Sequence, residues 1–287
     1  MVVQKVSVVA DSSISLPSQM LEQHSILTAP FEIAFGDHVY RDGTEPARFY
    51  ELLRTSPQLP TTSSPSPASF LAAFEKAAHQ AKDILCLTLS AQLSATYQSA
   101  CSAAAMAKES LPGVRIRVVD TQTAAAAEGL LALAVARRAQ AGADMEEVLR
   151  ATSELQARVR LLGILDTLYY IWRGGHIPKV AVWLGSALQI KPLLELSSGD
   201  VHLVARPRTQ RRALEQMLGM MDRYLGSGPA SVAVVHAATP EAAVELEAEV
   251  RRRFQCRELF VTEFPPVIGA HTGPGLLGCA FYPATDS

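Results

Sequence analysis

A chain of 287 residues, 48% hydrophobic and 19% charged, can bury a substantial core and has length for two domains, which excludes a disordered protein. The net charge is −2 with the histidines neutral, and no extended stripe of Lys or Arg is present, so neither nucleic acid nor an anionic membrane is the expected partner. No apolar run approaches the ~20 residues of a membrane span, and the opening MVVQKVSVVADSS lacks the features of a signal peptide; a soluble, cytoplasmic protein without integral membrane association is expected.

In chain order, KVSVVAD (Lys5–Asp11), DILCLTL (Asp83–Leu89) and VRIRVVD (Val114–Asp120) are short runs rich in Val, Ile and Leu. Each leads through polar residues into an amphipathic or Ala-rich stretch, the rhythm of a parallel sheet covered by helices. A helix is expected over Ala68–Ala81. Another is expected in AAAAEGLLALAVARRAQAG, where strong helix formers run up to Gly142, and a third from Asp144 to Ala157. The pattern then restarts. Strands are expected at Val159–Leu165, in IKPLLEL and VHLV around the turn SSGD, at Ser231–Ala237 and at Glu258–Phe264, with helices at Arg208–Leu225 and Pro240–Arg253. The fold class is α/β: two α/β domains, 1–160 and 161–287, the first with a mainly parallel sheet. No repeat of solenoid period occurs. Cys86, Cys101, Cys256 and Cys279 are widely spaced without C-x-x-C, so they read as core residues, with neither a metal site nor a disulfide framework.

Three segments resist this regular reading and are expected as loops. TSPQLPTTSSPSP (Thr55–Pro67) crowds hydroxyls and prolines before a helix that Ser64 or Ser66 would cap. LSAQLSATYQSA (Leu89–Ala100) carries Ser90, Ser94 and Thr96 into a helix, where Ser94 serves either as a cap or as part of an anion site. VIGAHTGPG (Val267–Gly275) sets His271 and Thr272 among glycines. In an open α/β sheet the ligand crevice lies beyond the carboxyl ends of the strands, so the first two segments open on the same side. None of the three contains Lys or Arg, which disfavours a polyphosphate; a single carboxylate, held by hydroxyls, backbone N–H groups and one imidazole, fits better.

A serine hydrolase would use Ser94 as nucleophile, His271 as base and Asp11 or Asp120 as orienter, but no G-x-S-x-G elbow is present. Neither a Walker motif nor a kinase Gly-rich loop occurs, so a kinase acting alone is disfavoured. A pure interaction protein is the third class considered.

The segments VVADSSISLP, TTSSPSP, LSAQLSATYQSA, VVDTQT, LDTLYYIWRGGHIPK, LQIKPLLEL, RPRTQRRAL and VIGAHTGPGLLG, in this order, resemble the DegV family of bacterial fatty-acid-binding proteins end to end. The resemblance implies two α/β domains with an acyl chain in a tunnel at their junction. It further implies a lipid-binding carrier subunit with no catalytic residue and no cofactor. Its ligand is a long-chain fatty acid, and its partner is a separate ATP-dependent fatty acid kinase that phosphorylates the bound carboxylate. By motif position, the carboxylate would be met by Thr62, Ser94, His271 and Thr272. The chain departs from the family pattern in three places: Thr62-Ser63-Ser64-Pro65 stands for T-S-Q-P, Ala95 follows the carboxylate serine in place of Gly, and His176 replaces the Arg after the two glycines. His176 and, three residues upstream, Arg173 are therefore candidates for the polar network behind the head group. An acyl tail would supply most of the affinity: at ~0.8 kcal/mol per buried CH₂, about 14 methylenes give roughly 11 kcal/mol before ordering costs. RPRTQRR gathers four arginines where a helix begins, an end whose dipole does not favour cations; Arg206 and Arg208 are read either as a kinase-docking patch or as a solvated face.

Overall fold

A computed structural model describes residues 4–42, 46–56, 58–175 and 190–284. The strands of the first half are β1 (Val6–Asp11), β2 (Leu27–Ala29), β3 (Glu32–Phe35), β4 (His38–Arg41), β5 (Thr61–Ser63), β6 (Asp83–Thr88) and β7 (Arg115–Asp120). Those of the second half are β8 (Arg160–Ile164), β9 (Leu193–Ser197), β10 (Asp200–Ala205), β11 (Ala230–His236), β12 (Cys256–Glu263) and β13 (Leu277–Pro283). They build a parallel sheet β2-β1-β6-β7, a mixed sheet β10-β9-β8-β13-β11-β12 and a small antiparallel sheet β4-β3-β5. The mixed α/β architecture is the one expected. Every residue of β1 and β6 is buried, which is why both read as continuous apolar runs.

The Ala-rich helix spans Ala125–Gln140 and is buried on nearly all sides because it packs against strands of both large sheets. Its Gly129 is explained by contact: a Cβ there would lie 2.2 Å from the Ile14 carbonyl oxygen. The outer face of the parallel sheet is covered by the helices Pro67–Ala78 and Thr96–Ser110, and that of the mixed sheet by Gln210–Leu225 and Pro240–Arg253. Asp144 closes a capping box at the start of the helix Met145–Gln156, and Ser66, not Ser64, caps Pro67–Ala78. Cys86 and Cys279 are buried, whereas Cys101 and Cys256 are half-buried. Among the described residues no helix is long and apolar enough to cross a membrane.

The structure adds elements that the pattern of residues did not announce: the three-stranded sheet, β2, and β13, which runs antiparallel between β8 and β11. It also corrects two of the loops. Thr62 lies in β5, and VIGAHT belongs to the helix Pro266–Thr272, opened by a proline in its first turn, where the missing N–H costs nothing.

Candidate functional site

Between the two large sheets, beyond the carboxyl ends of β1 and β6, lies a cavity of about 860 Å³. Leu161, Leu165, Leu194, Leu196 and Phe264 supply much of its apolar wall, while hydroxyls, amides and the His271 imidazole supply the polar part among the described residues. Thr62, Ser94, His271 and Thr272 all face this cavity, so the structure brings together four residues that lie in three distant segments of the sequence.

Each is positioned by its own element. Thr62 pairs with Ile33 in the small sheet, and its Oγ1 is 2.8 Å from His271 Nε2, a hydrogen bond whose direction follows the imidazole tautomer. Thr272 Oγ1 donates to the carbonyl of Ile268 at 3.0 Å, closing the last turn of the same helix. Ser94 sits at the entry of the helix Thr96–Ser110; its Oγ is 2.8 Å from Thr96 Oγ1 and accepts from the Thr96 N–H at 3.3 Å. The loop before it is tied to the second sheet, since Ser90 Oγ donates to the carbonyl of Gly199 and Gln92 Nε2 to that of Ser198. The glycines around His271 make room for side chains of the protein itself. A Cβ on Gly269 would lie 2.6 Å from the Tyr50 hydroxyl, and one on Gly273 would enter the Tyr170 ring.

Arg173 is exposed on the short helix Tyr169–Gly174 and is not part of the cavity wall, and His176 lies outside the described residues. Arg206 and Arg208 are exposed just ahead of the helix that Thr209 caps.

Sequence reasoning missed Ser13, which also faces the cavity. Its Oγ donates to Glu128 Oε2 at 3.2 Å, and its N–H donates to Asp11 Oδ1 at 2.9 Å. Burial pushes the Asp11 carboxyl up to about 6, against the opposing pull of the Leu89 and Ser13 N–H groups. Burial, with Asp11 nearby, raises Glu128 well above the usual carboxylate range, so it holds its proton more tightly than an exposed glutamate. The Asp11 oxygens accept from Leu89 and Ser13, and Asp120 Oδ1 accepts from the N–H groups of Ala91 and Gln122. Neither carboxylate is hydrogen-bonded to His271, so the orienting acid of a hydrolase triad is missing from the two positions that would supply it.

The DegV family model, described as an uncharacterised protein family, matches residues 5–284. The chain belongs to the DegV family. It is 37% identical over 276 residues to a DegV domain-containing protein of Streptomyces coelicolor, covering 95% of this chain and 96% of that one. Solved structures of similar proteins superpose closely. One is a fatty-acid-binding DegV family protein of Thermus thermophilus, with TM-score 0.90, 30% identity and coverage of 98% and 100% of the two chains. Another is DegV of Bacillus subtilis, a fatty acid binding protein, with TM-score 0.88, 27% identity and the same coverage. A third is a stearic acid-binding protein of Eubacterium ventriosum, with TM-score 0.89, 25% identity and coverage of 97% and 98%.

Proposed function

We propose that this protein binds a long-chain fatty acid in the cavity between its sheets and presents the carboxylate to a separate ATP-dependent fatty acid kinase. The observation that carries the reading is the 860 Å³ cavity itself, with an apolar wall and a polar patch that contains Thr62, Ser94, His271 and Thr272 and, among the described residues, no Lys or Arg. Such a site suits a ligand that is mostly hydrocarbon with one small acidic end. The similar proteins of Thermus thermophilus and Eubacterium ventriosum, which bind fatty acid and stearic acid, support the same reading. In this scheme the chain is a carrier with no catalytic residue and no cofactor of its own. Its two domains divide at 160/161, and Arg206 and Arg208 meet an acidic surface of the kinase.

Apolar contacts along the tail supply most of the affinity and the hydroxyls and imidazole fix the head group's orientation, which is what an in-line phosphoryl transfer demands. The deciding experiment is mass spectrometry of the organic extract of natively purified protein. A stoichiometric long-chain fatty acid is expected; an extract without lipid, together with no measurable binding of added fatty acid, overturns the reading. Acyl-phosphate formation from that bound acid, with ATP and a cognate kinase but not with ATP alone, tests the partner.

A further inference from the structure

Asp42, in the turn after β4, is buried, yet nothing in the sequence marks it as more than a turn residue. Its N–H donates to the Phe31 carbonyl at 2.8 Å. Its Oδ2 accepts from Ser12 Oγ at 2.6 Å, and that hydroxyl oxygen in turn accepts the N–H of Phe31 at 3.1 Å. Its Oδ1 accepts the N–H of Val267 at 3.0 Å. Val267 lies in the first turn of the helix Pro266–Thr272, where backbone N–H groups lack partners within the helix and a carboxylate answers both their hydrogen-bonding need and the local positive potential. His271 is one turn further along.

The opposite end of the helix is held by the same small sheet. β3 pairs on one side with β4, which leads into Asp42, and on the other with β5, which carries Thr62. Asp42 therefore grips the start of the helix through Val267, and Thr62 meets its end through His271 Nε2. Tyr50 adds a third fastening, its hydroxyl donating to the Phe264 carbonyl at 3.2 Å and its ring lying against Gly269. Releasing the first grip leaves the helix free to turn or slide about the other two. Val267, Ile268, His271 and Thr272 of this helix all face the cavity, so a turn of the helix carries the imidazole and the threonine hydroxyl with it.

We infer that Asp42 is a positioning residue: it does not touch the ligand, but through the Val267 N–H it sets the helix so that His271 faces Thr62 across the polar patch. The inference rests on the fatty-acid reading for its consequence in binding, and on the helix geometry alone for its consequence in the free protein.

The test uses the full chain with three variants. Asp42→Ala removes both acceptors; Asp42→Asn keeps an oxygen for Val267 and lets the amide N–H meet Ser12 Oγ; Ser12→Ala loosens Asp42 without touching the helix, and carries the test should Asp42→Ala fail to fold. In the ligand-free protein, the ring-nitrogen NMR signals of His271 and their pH titration are expected to shift in Asp42→Ala, to shift less in Ser12→Ala and to return toward wild type in Asp42→Asn. With palmitate as probe, Asp42→Ala is expected to bind about tenfold more weakly. Its affinity for hexadecanol, which shares the tail but lacks the carboxylate, should be unchanged. Unmoved His271 signals in folded Asp42→Ala, or equal losses for palmitate and hexadecanol, overturn the inference. If wild-type protein binds no palmitate, the fatty-acid reading falls, and the imidazole signals alone decide whether Asp42 sets His271.

Discussion

Thr62 Oγ1 and His271 Nε2 stand 2.8 Å apart although 209 residues separate them in the chain. The hydrogen bond joins the small sheet to the helix Pro266–Thr272 at the edge of the cavity, so the two side chains act as one polar unit toward whatever the cavity holds. Thr62→Ala and Ser94→Ala are each expected to weaken fatty-acid binding by about 1–3 kcal/mol, the cost of leaving part of a desolvated carboxylate without a donor. If both hydroxyls serve one head group, the double variant loses less than the sum. Titration calorimetry with one fatty acid checks both statements, and unchanged affinity in both single variants removes the proposed clamp.

Gly129 offers a test of the fold in which the sign of the effect is diagnostic. Ala in place of Gly inside a helix ordinarily stabilises by about 0.5–1 kcal/mol. Here the added Cβ meets the backbone oxygen of Ile14 at 2.2 Å, so the helix between the sheets must move away from the turn after β1. Gly129→Ala is therefore expected to destabilise by about 1–3 kcal/mol, as overpacked cores do. Denaturant unfolding measures it, and a gain in stability would contradict this packing.

These contacts mark the limit of what the sequence carries. β1 and β6 were legible because they are buried on both faces and read as mainly apolar runs, and β7 because Ile and Val recur between its arginines before a polar turn. The helix Pro240–Arg253 has its expected bounds, with a proline in its first turn. β13 was hidden because Gly278, Cys279 and Ala280 have little strand preference of their own, and its place is fixed by pairing with β8 and β11. Thr62 looked like a loop residue because prolines flank its short strand, and His271 because glycines surround it. The small sheet makes the first a strand, and the fit of Tyr50 against Gly269 accommodates the second in a helix. The cluster of hydroxyls was visible as composition. Ser13 and Asp42 were not, since each is a single residue whose decisive partner lies 115 or 225 positions away.

The buried Asp11 gives the protein a pH signature of definite sign. Its carboxyl rises from 3.8 to about 6 on folding because burial disfavours the charge. A raised carboxyl favours the folded state while protonated, so its contribution is fully present below pH 3.8 and is lost as pH rises through about 6. The neighbouring Glu128, raised by burial, adds a loss of the same sign above its ordinary range. The stability of wild type relative to Asp11→Asn is thus expected to fall between pH 4 and pH 7 by an amount on the order of 3 kcal/mol. Paired denaturation curves across that interval test it, and a difference independent of pH would show that Asp11 does not titrate there.

Arg206 and Arg208 are exposed beside the N-terminus of the helix Gln210–Leu225, an end that gains nothing from positive charge. If they form the docking patch, reversing both to Glu slows kinase-dependent acyl-phosphate formation and weakens its dependence on salt, while fatty-acid affinity is unchanged. Equal loss of fatty-acid binding would assign the patch to the ligand site, and unchanged transfer would make it an ordinary solvated face.

His271 meets Thr62 through Nε2 on a helix that ends one residue later. His271→Ala is expected to preserve the fold and most tail-driven affinity but to impair phosphoryl transfer, since that step depends on where the attacking carboxylate oxygen is held. His271→Gln keeps a neutral donor within reach of Thr62 while removing the ring and any positive charge. Near-normal transfer in the Gln variant would mean that hydrogen bonding and geometry suffice; equal loss in both would mean that charge or ring shape is required. The Thr62 hydroxyl adds a further discriminant. If His271 acts by orienting Thr62, then His271→Ala in a Thr62→Ala background costs little more than Thr62→Ala alone, whereas independent donors to the carboxylate give losses that approach the sum. Full binding and full transfer in both His271 variants would leave the residue with only a structural part in joining the helix to β5.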